Sequence, residues 1–460
     1  MLPERAQSAP ESGNAARGGA RPACRKVEIC LSEALLIETE RALLVERIDS
    51  LAALEQLADA WNALEPAVPF LTHAWSAAWW QHYQPQAGEL FTLAVRDAAG
   101  TLIGVAPWHR ETLRGRGRVV RFLGSNEVCA DYISLVAQPA DRKAVALAVA
   151  DWLAGPGAGE WDMLEMTGVE QNDEAMACLH TALAERGHAA HEAVRWQGWR
   201  TDLPGTWDDY LAGLPKSRRT SVRNQIKKLV DTGRVRFRRA ETPADVARAF
   251  EILIELHQKR RGMLQQAGCF ASESFTMFHR ELADRFLRSG RLRLSWLEMD
   301  DAPIAIEYSF TGGDTVYYYQ GGFDPSVSQL GPGWLMSALS LRAAIAEGYG
   351  CFDFLRGDEP YKASWKASPR PLVQRRVASR RPSARMRHAA WQTGEAVRRW
   401  AAQRWPIAGR GKTSSTTRIA GATQSLSTLM VLIGASHVGT WLVTGSLLPL
   451  AKLLAGRRRI

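Results

Sequence analysis

At 460 residues the chain is longer than one hydrophobic core usually serves, so two structured domains with flanking segments are expected. The net charge of +10 is concentrated: Arg375 to Lys412 holds eleven Lys/Arg against the single acid Glu395, which leaves the body near neutral and argues against a dedicated DNA-binding fold. The six cysteines (Cys24, Cys30, Cys129, Cys178, Cys269, Cys351) form no C-x-x-C pair and meet no His cluster at ligand spacing, so reduced thiols, a cytoplasmic protein and no metal are expected.

Residues 1–28 are rich in Ala, Gly, Pro and Arg and lack the apolar middle of a signal peptide; they read as a disordered leader. From Leu51 the spacing Leu51, Leu54, Leu57, Trp61, Leu64 predicts a helix, and a second helix covers Trp75 to Tyr83. Phe91 to Arg96 and Thr101 to Trp108 flank the turn Asp97 to Gly100 and predict a hairpin. Strands near Val119 to Leu123 and Tyr132 to Val136, a helix from Arg142 to Leu153 and a strand from Trp161 to Met166 follow.

The same order returns in Leu292 to Met299, Ile304 to Thr311, Thr315 to Gly322, the helix Gly333 to Glu347 and the strand Cys351 to Leu355. F-T-L-A-V-R-D-A-A-G-T-L-I-G-V-A and L-S-W-L-E-M-D-D-A-P-I-A-I-E-Y-S align as one unit used twice, an internal duplication of about 150 residues. The expected domains are 45–200 and 201–374. Helices are predicted from Leu214 to Leu229, where Lys216, Arg218, Arg219, Arg223, Lys227 and Lys228 make a basic face, and at Pro243 to Arg260 and Glu273 to Ser289.

Thr315 to Leu355 reads strand, helix, strand. If the strands are parallel, the loops after both of them meet at one sheet edge, where α/β folds bind ligands. One loop is G-G-F-D-P-S-V-S-Q-L-G-P-G (Gly321 to Gly333), whose Gly331 and Gly333 precede a helix start suited to an anion such as a pyrophosphate. The other is the charged run Arg356 to Lys362. Asp353, between Phe352 and Phe354, points away from them; if buried it needs a cation, and Arg356 or Lys362 is near in sequence.

With H-Q-K-R-R (His257 to Arg261), F-H-R-E-L-A (Phe278 to Ala283), Y-Y-Y-Q-G-G-F-D-P (Tyr317 to Pro325), L-G-P-G-W-L (Leu330 to Leu335) and F-D-F-L-R-G-D-E-P-Y-K (Phe352 to Lys362), the second half resembles the CelD/BioF-like acetyltransferase domain of the GNAT superfamily, which is related to the Fem transferases. The resemblance is strongest over Thr201 to Lys366. It implies an α/β (α+β) fold of tandem GNAT-like domains, each a mixed sheet flanked by helices. It also implies acetyl-CoA or another acyl-CoA as cosubstrate, with pyrophosphate held around Gly321, Gly322, Ser328, Gln329, Gly331 and Gly333. Ser328 stands where the family usually has Gln or Arg, with Gln329 one place late. The first half has no glycine loop before its helix, so the cofactor is expected only in the second.

Acyl transfer needs a base for the acceptor and stabilisation of an oxyanion. His257, Glu307 and Asp353 are the candidate bases, and a backbone N–H near Gly321 or Gly322 is the candidate oxyanion donor. Arg260, Tyr319, Arg356, Asp358, Tyr361 and Lys362 are the candidate acceptor-site or loop-fixing residues. The expected activity is transfer of an acyl group to an amine or hydroxyl of a small-molecule or glycan-precursor acceptor in exopolysaccharide, cellulose or cell-envelope biosynthesis. Two rivals stand beside it: a Fem-like transferase fed by aminoacyl-tRNA, and a non-catalytic accessory protein of a polysaccharide synthase.

The basic stretch 375–428 reads as a tail suited to a membrane surface. It leads to 429–455, in which Leu429 to Leu450 carries no acid or base and is long enough to cross a bilayer, a C-terminal anchor or interfacial segment at the inner membrane. Basic flanks on both sides give no orientation.

Overall fold

The computed structural model describes residues 43–404. The first half runs β1 (Leu44–Ile48), α1 (Leu51–Gln56), α2 (Ala58–Asn62), α3 (His73–Ala87), β2 (Glu89–Leu90), β3 (Thr92–Arg96), β4 (Leu102–Ala106), β5 (Trp108–Leu113), β6 (Gly117–Phe122), β7 (Val136–Ala137), α4 (Arg142–Ala154), β8 (Met163–Glu170) and α5 (Glu174–Glu185). The second runs β9 (Ala189–Asp202), α6 (Trp207–Ala212), α7 (Lys216–Leu229), β10 (Val235–Arg239), α8 (Pro243–Met263), α9 (Glu273–Arg288), β11 (Leu292–Met299), β12 (Ala302–Gly312), β13 (Thr315–Phe323), α10 (Pro332–Ala346), β14 (Cys351–Arg356), α11 (Pro360–Ser364), β15 (Ser368–Ala378) and α12 (Pro382–Arg404).

Eleven strands join in one mixed sheet, ordered β10-β11-β12-β13-β14-β9-β15-β8-β6-β5-β2, and β1-β3-β4-β7 form a second. The predicted crossover occurs twice: β13 runs parallel to β14 with α10 between them, and β6 parallel to β8 with α4 between. The two hairpins that align in sequence fall in different sheets. In the first half Pro107 follows β4 and has no N–H to give a ladder, and β5 beyond it joins the large sheet. Helix starts carry their own signals: Thr72 accepts from Trp75 N, and Thr242 with Asp245 forms a capping box at α8.

The strand expected over Tyr132 to Val136 shrinks to β7; Tyr132 takes a left-handed φ of 57°, which breaks the extended run there. The tail expected to begin at Arg375 begins instead inside β15, a central strand paired with both β9 and β8. Arg375 and Arg376 are buried there, on Glu192 and Glu165. Burial alone would raise the Glu165 carboxyl; Arg121, Arg376 and Arg116 outweigh it and hold it down to about 2. Most of the basic run is structured too, in the end of β15 and in α12; its remainder 405–428, the leader 1–28 and the hydrophobic segment 429–455 lie outside the described residues. Among the described residues no helix is long and apolar enough to cross a membrane.

Candidate active site

The site is made by a parting of strands. β13 and β14 pair only through Thr315–Cys351, Val316–Phe352 and Tyr317–Asp353. Beyond that point Leu355 adopts a left-handed φ of 55°, and β14 continues against β9, at Gly198. The gap on the β13 side is closed by the loop before α10. This loop is a 3-10 turn (Pro325–Leu330) begun by Asp324, which accepts from Ser326 N, and ended by Gly331 at φ 62°, ψ 48°. A left-handed backbone here favours glycine, and it turns the chain into α10. Gln225 of α7 fixes the loop from outside, donating to the carbonyls of Leu330 (2.6 Å) and Gly331 (3.1 Å).

In the first turn of α10, Pro332 has no N–H, the amides of Gly333 and Trp334 have no preceding helical carbonyl, and Leu335 N closes the first bond on Gly331 O. These amides border a cleft of about 250 Å³ lined also by Glu307, Tyr318, Gly322 and Tyr361. Two guanidiniums lie near it: Arg260 lines the cleft over the Phe323 ring (4.9 Å), and Arg218 stacks on Trp334 (3.8 Å). Gly322 permits close packing, since a Cβ there would stand 2.5 Å from the backbone N of His257 on α8. The cleft thus offers free amides, cations and a helix N-terminus to an anion, which fits the pyrophosphate of an acyl-CoA.

Glu307 is the one carboxyl among the residues that line this cleft. It is 4% exposed and accepts from Ser309 Oγ at 2.8 Å. Burial pushes it up to about 7, against the hydrogen bonds of Ser309 and Ser340 and the charges of Arg293 and Arg239.

Of the expected site residues, Glu307, Arg260, Gly322, Ser328, Gly331, Gly333 and Tyr361 meet at the cleft. The others do not line it. His257 is buried on α8 with Nδ1 3.1 Å from Gln258 Oε1 and Nε2 3.7 Å from Cys269 Sγ; burial pushes it down to about 4, so it is neutral. Tyr319 donates to Val128 O at 2.7 Å and meets His279. The N–H of Gly321 is already given to Gln320 Oε1, which removes it as an oxyanion donor. Gln329 and Asp358 are exposed.

Asp353 is buried and accepts from Leu355 N; burial pushes it up to about 7. The cation expected beside it from sequence is neither Arg356 nor Lys362. Arg200, directly across on β9, takes that place. Arg356 is drawn away to Asp131 of the first half, which its backbone N and Nε both contact, and to Ala130 O. Lys362 is buried, and its Nζ donates to the carbonyls of Leu355, Arg356 and Gly357, closing the kinked end of β14. Sequence reading missed Gln225, Trp334 and Tyr318 as site residues. The last two lie inside quoted motifs, whereas nothing in the sequence marks Gln225.

Residues 216–363 match the family model described as acetyltransferase (GNAT) domain. No curated protein matches the chain by sequence. Among solved structures, FemX superposes with a TM-score of 0.52 at 11% identity, over 72% of this chain and 96% of that one. A conserved protein of unknown function from Bacteroides thetaiotaomicron gives 0.47 at 15% (73% and 100% covered), and L-PGS from Bacillus licheniformis 0.44 at 10% (74% and 96%). At such identities the likeness is one of fold, and it is the FemX superposition that carries it. The fold is accordingly α/β, tandem and GNAT-like, with sheets flanked by helices; the large sheet, shared by both halves, is mixed, while the four-stranded one is antiparallel throughout rather than mixed as expected.

Proposed function

We propose that the chain transfers an acyl group from acyl-CoA to an amine or hydroxyl of a small-molecule or glycan-precursor acceptor, in exopolysaccharide, cellulose or cell-envelope biosynthesis. The observation that carries the reading is the meeting, in one cleft, of the α10 first turn and a single carboxyl held near neutrality. The amides of Gly333 and Trp334, with Arg260, hold the donor's phosphates. Glu307 takes the proton of the acceptor, directly or through one water, as its N or O bonds to the thioester carbonyl; the C–S bond then breaks and CoA leaves as the thiol, taking up the proton that Glu307 accepted. The acceptor class rests on the motifs shared with CelD/BioF-like domains.

Titration calorimetry with acetyl-CoA tests the placement. Gly333→Val is the suitable variant, because its backbone is not left-handed and the nearest atom to the added Cβ, on Phe323, is 3.5 Å away, so the fold is kept while the cradle fills. Binding by the wild type and none by the variant is expected; equal affinity would place the donor elsewhere. A second reading, aminoacyl transfer from a charged tRNA, is favoured by the exposed Lys216, Arg223, Lys227 and Lys228 of α7, the helix that fixes the glycine loop. Tight, steeply salt-dependent binding of charged tRNA, with no heat from acetyl-CoA, would replace the first reading by this one.

A further inference from the structure

Helix α12 has two unlike faces. Its inner face is tied to the body: Ala384 and His388 are buried, Trp391 lies under the guanidinium of Arg376 (3.7 Å), and Glu395 pairs with Arg195 (3.1 Å). Asp162 draws in the start of the helix through Arg387 (3.8 Å) and, just before it, Arg381 (3.3 Å). The outer face repeats at i, i+4, i+7, i+11, i+14 with Met386, Ala390, Thr393, Val397 and Trp400, all exposed; Met386 is 71%, Val397 45% and Trp400 54% exposed. Helical spacing sets the exposed Arg385, which also donates to Gly187 O, and Arg399 along one flank of this stripe; along the other lie Arg387, shared with Asp162, and Arg398, shared with Glu395. The helix's one acid, Glu395, is on the inner face.

An apolar stripe held outward on a fixed helix and edged by arginines on both sides suits one surface above others. Apolar side chains enter the acyl boundary of a bilayer, while long cationic ones bury their stems and reach anionic headgroups. A groove on a protein would need acids facing both flanks at once; a phospholipid surface supplies them at any rotation. The chain also continues from this helix into a stretch, Leu429 to Leu450, without acid or base. We propose that the outer face of α12 is a docking surface for an anionic phospholipid bilayer, on which the helix lies in the plane of the interface. It shares no residue with the cleft, so it stands whether or not the acyltransferase reading does.

The test uses the full chain with a benzophenone amino acid at position 397, irradiated on vesicles of phosphatidylcholine with or without phosphatidylglycerol at about a third of the lipid. Mass spectrometry should find lipid adducts at 397 in at least about tenfold higher yield on the anionic vesicles, and fewer from the same probe at Gln392 on the flank. R385Q/R399Q, at two exposed positions, should lower the yield at 397 several-fold. Adducts to a second copy of the chain, adducts within the chain, or no adduct at 397 would each overturn the proposal, as would equal yields on neutral and anionic vesicles.

Discussion

Replacing Glu307 by Gln should weaken catalysis and strengthen the fold at once. The side chain keeps its shape, and Ser309 and Ser340 hydroxyls can turn to accept from the new amide. In the wild type, burial raises the carboxyl from 4.5 to about 7. The folded state therefore binds a proton between those values that the unfolded state has released. The stability this contributes is whole below pH 4.5 and is lost as pH rises to about 7; the shift corresponds to about 3 kcal/mol. Gln has no charge to bury, so the variant should gain on the wild type across this window and hold an advantage of up to ~3 kcal/mol above it. Urea midpoints at several pH values read this directly. CoA thiol release from acetyl-CoA, with an acceptor that turns over, should fall by about 10²- to 10⁴-fold, and the wild-type rate should rise with pH to a plateau above about 7. Undiminished turnover in the variant would remove Glu307 as the base; an advantage independent of pH would show that its carboxyl is not perturbed by burial.

Three further outcomes follow from the packing around the site. Arg356→Met leaves the buried Asp131 without its cation and should cost ~3–5 kcal/mol in chemical denaturation, much of it restored by adding Asp131→Asn. If Arg356 instead serves a substrate, the single variant will keep its stability and lose only binding. Gly322→Val drives a side chain into the α8 backbone and should cost about 3 kcal/mol or more, whereas Gly233→Ala, with open space around it, tests the lesser cost of a left-handed φ alone. Lys362→Met takes the donor from three carbonyls at the end of β14 and should lower stability by ~2–3 kcal/mol; an unchanged midpoint with weaker acceptor binding would return Lys362 to a substrate role.

What the sequence by itself determined is local or periodic. The crossover β13–α10–β14 was legible because alternation, a glycine pair and a helical apolar pattern follow one another in about forty residues. Gly331 and Gly333 could be assigned to a candidate anion site because a parallel pair of strands brings its loops to one edge. Glu307 was legible only as one of three candidate bases. The proposal of Glu307 over His257 and Asp353 rests on the tertiary structure, in which Glu307 lines the cleft and those two are buried among other partners. The charged run Arg356 to Lys362 shows the same limit. Nothing near it in sequence announces that Asp131, some 225 positions away, claims Arg356, or that Lys362 turns back onto carbonyls. β15 escaped notice because its prolines and arginines look like tail chemistry; only β9 and β8 on either side, with Glu192 and Glu165 to meet the guanidiniums, make it a central strand. Patterns of a few residues fix elements and their caps, but which charge is buried, and by whom, is settled by partners that the chain brings together only when it folds.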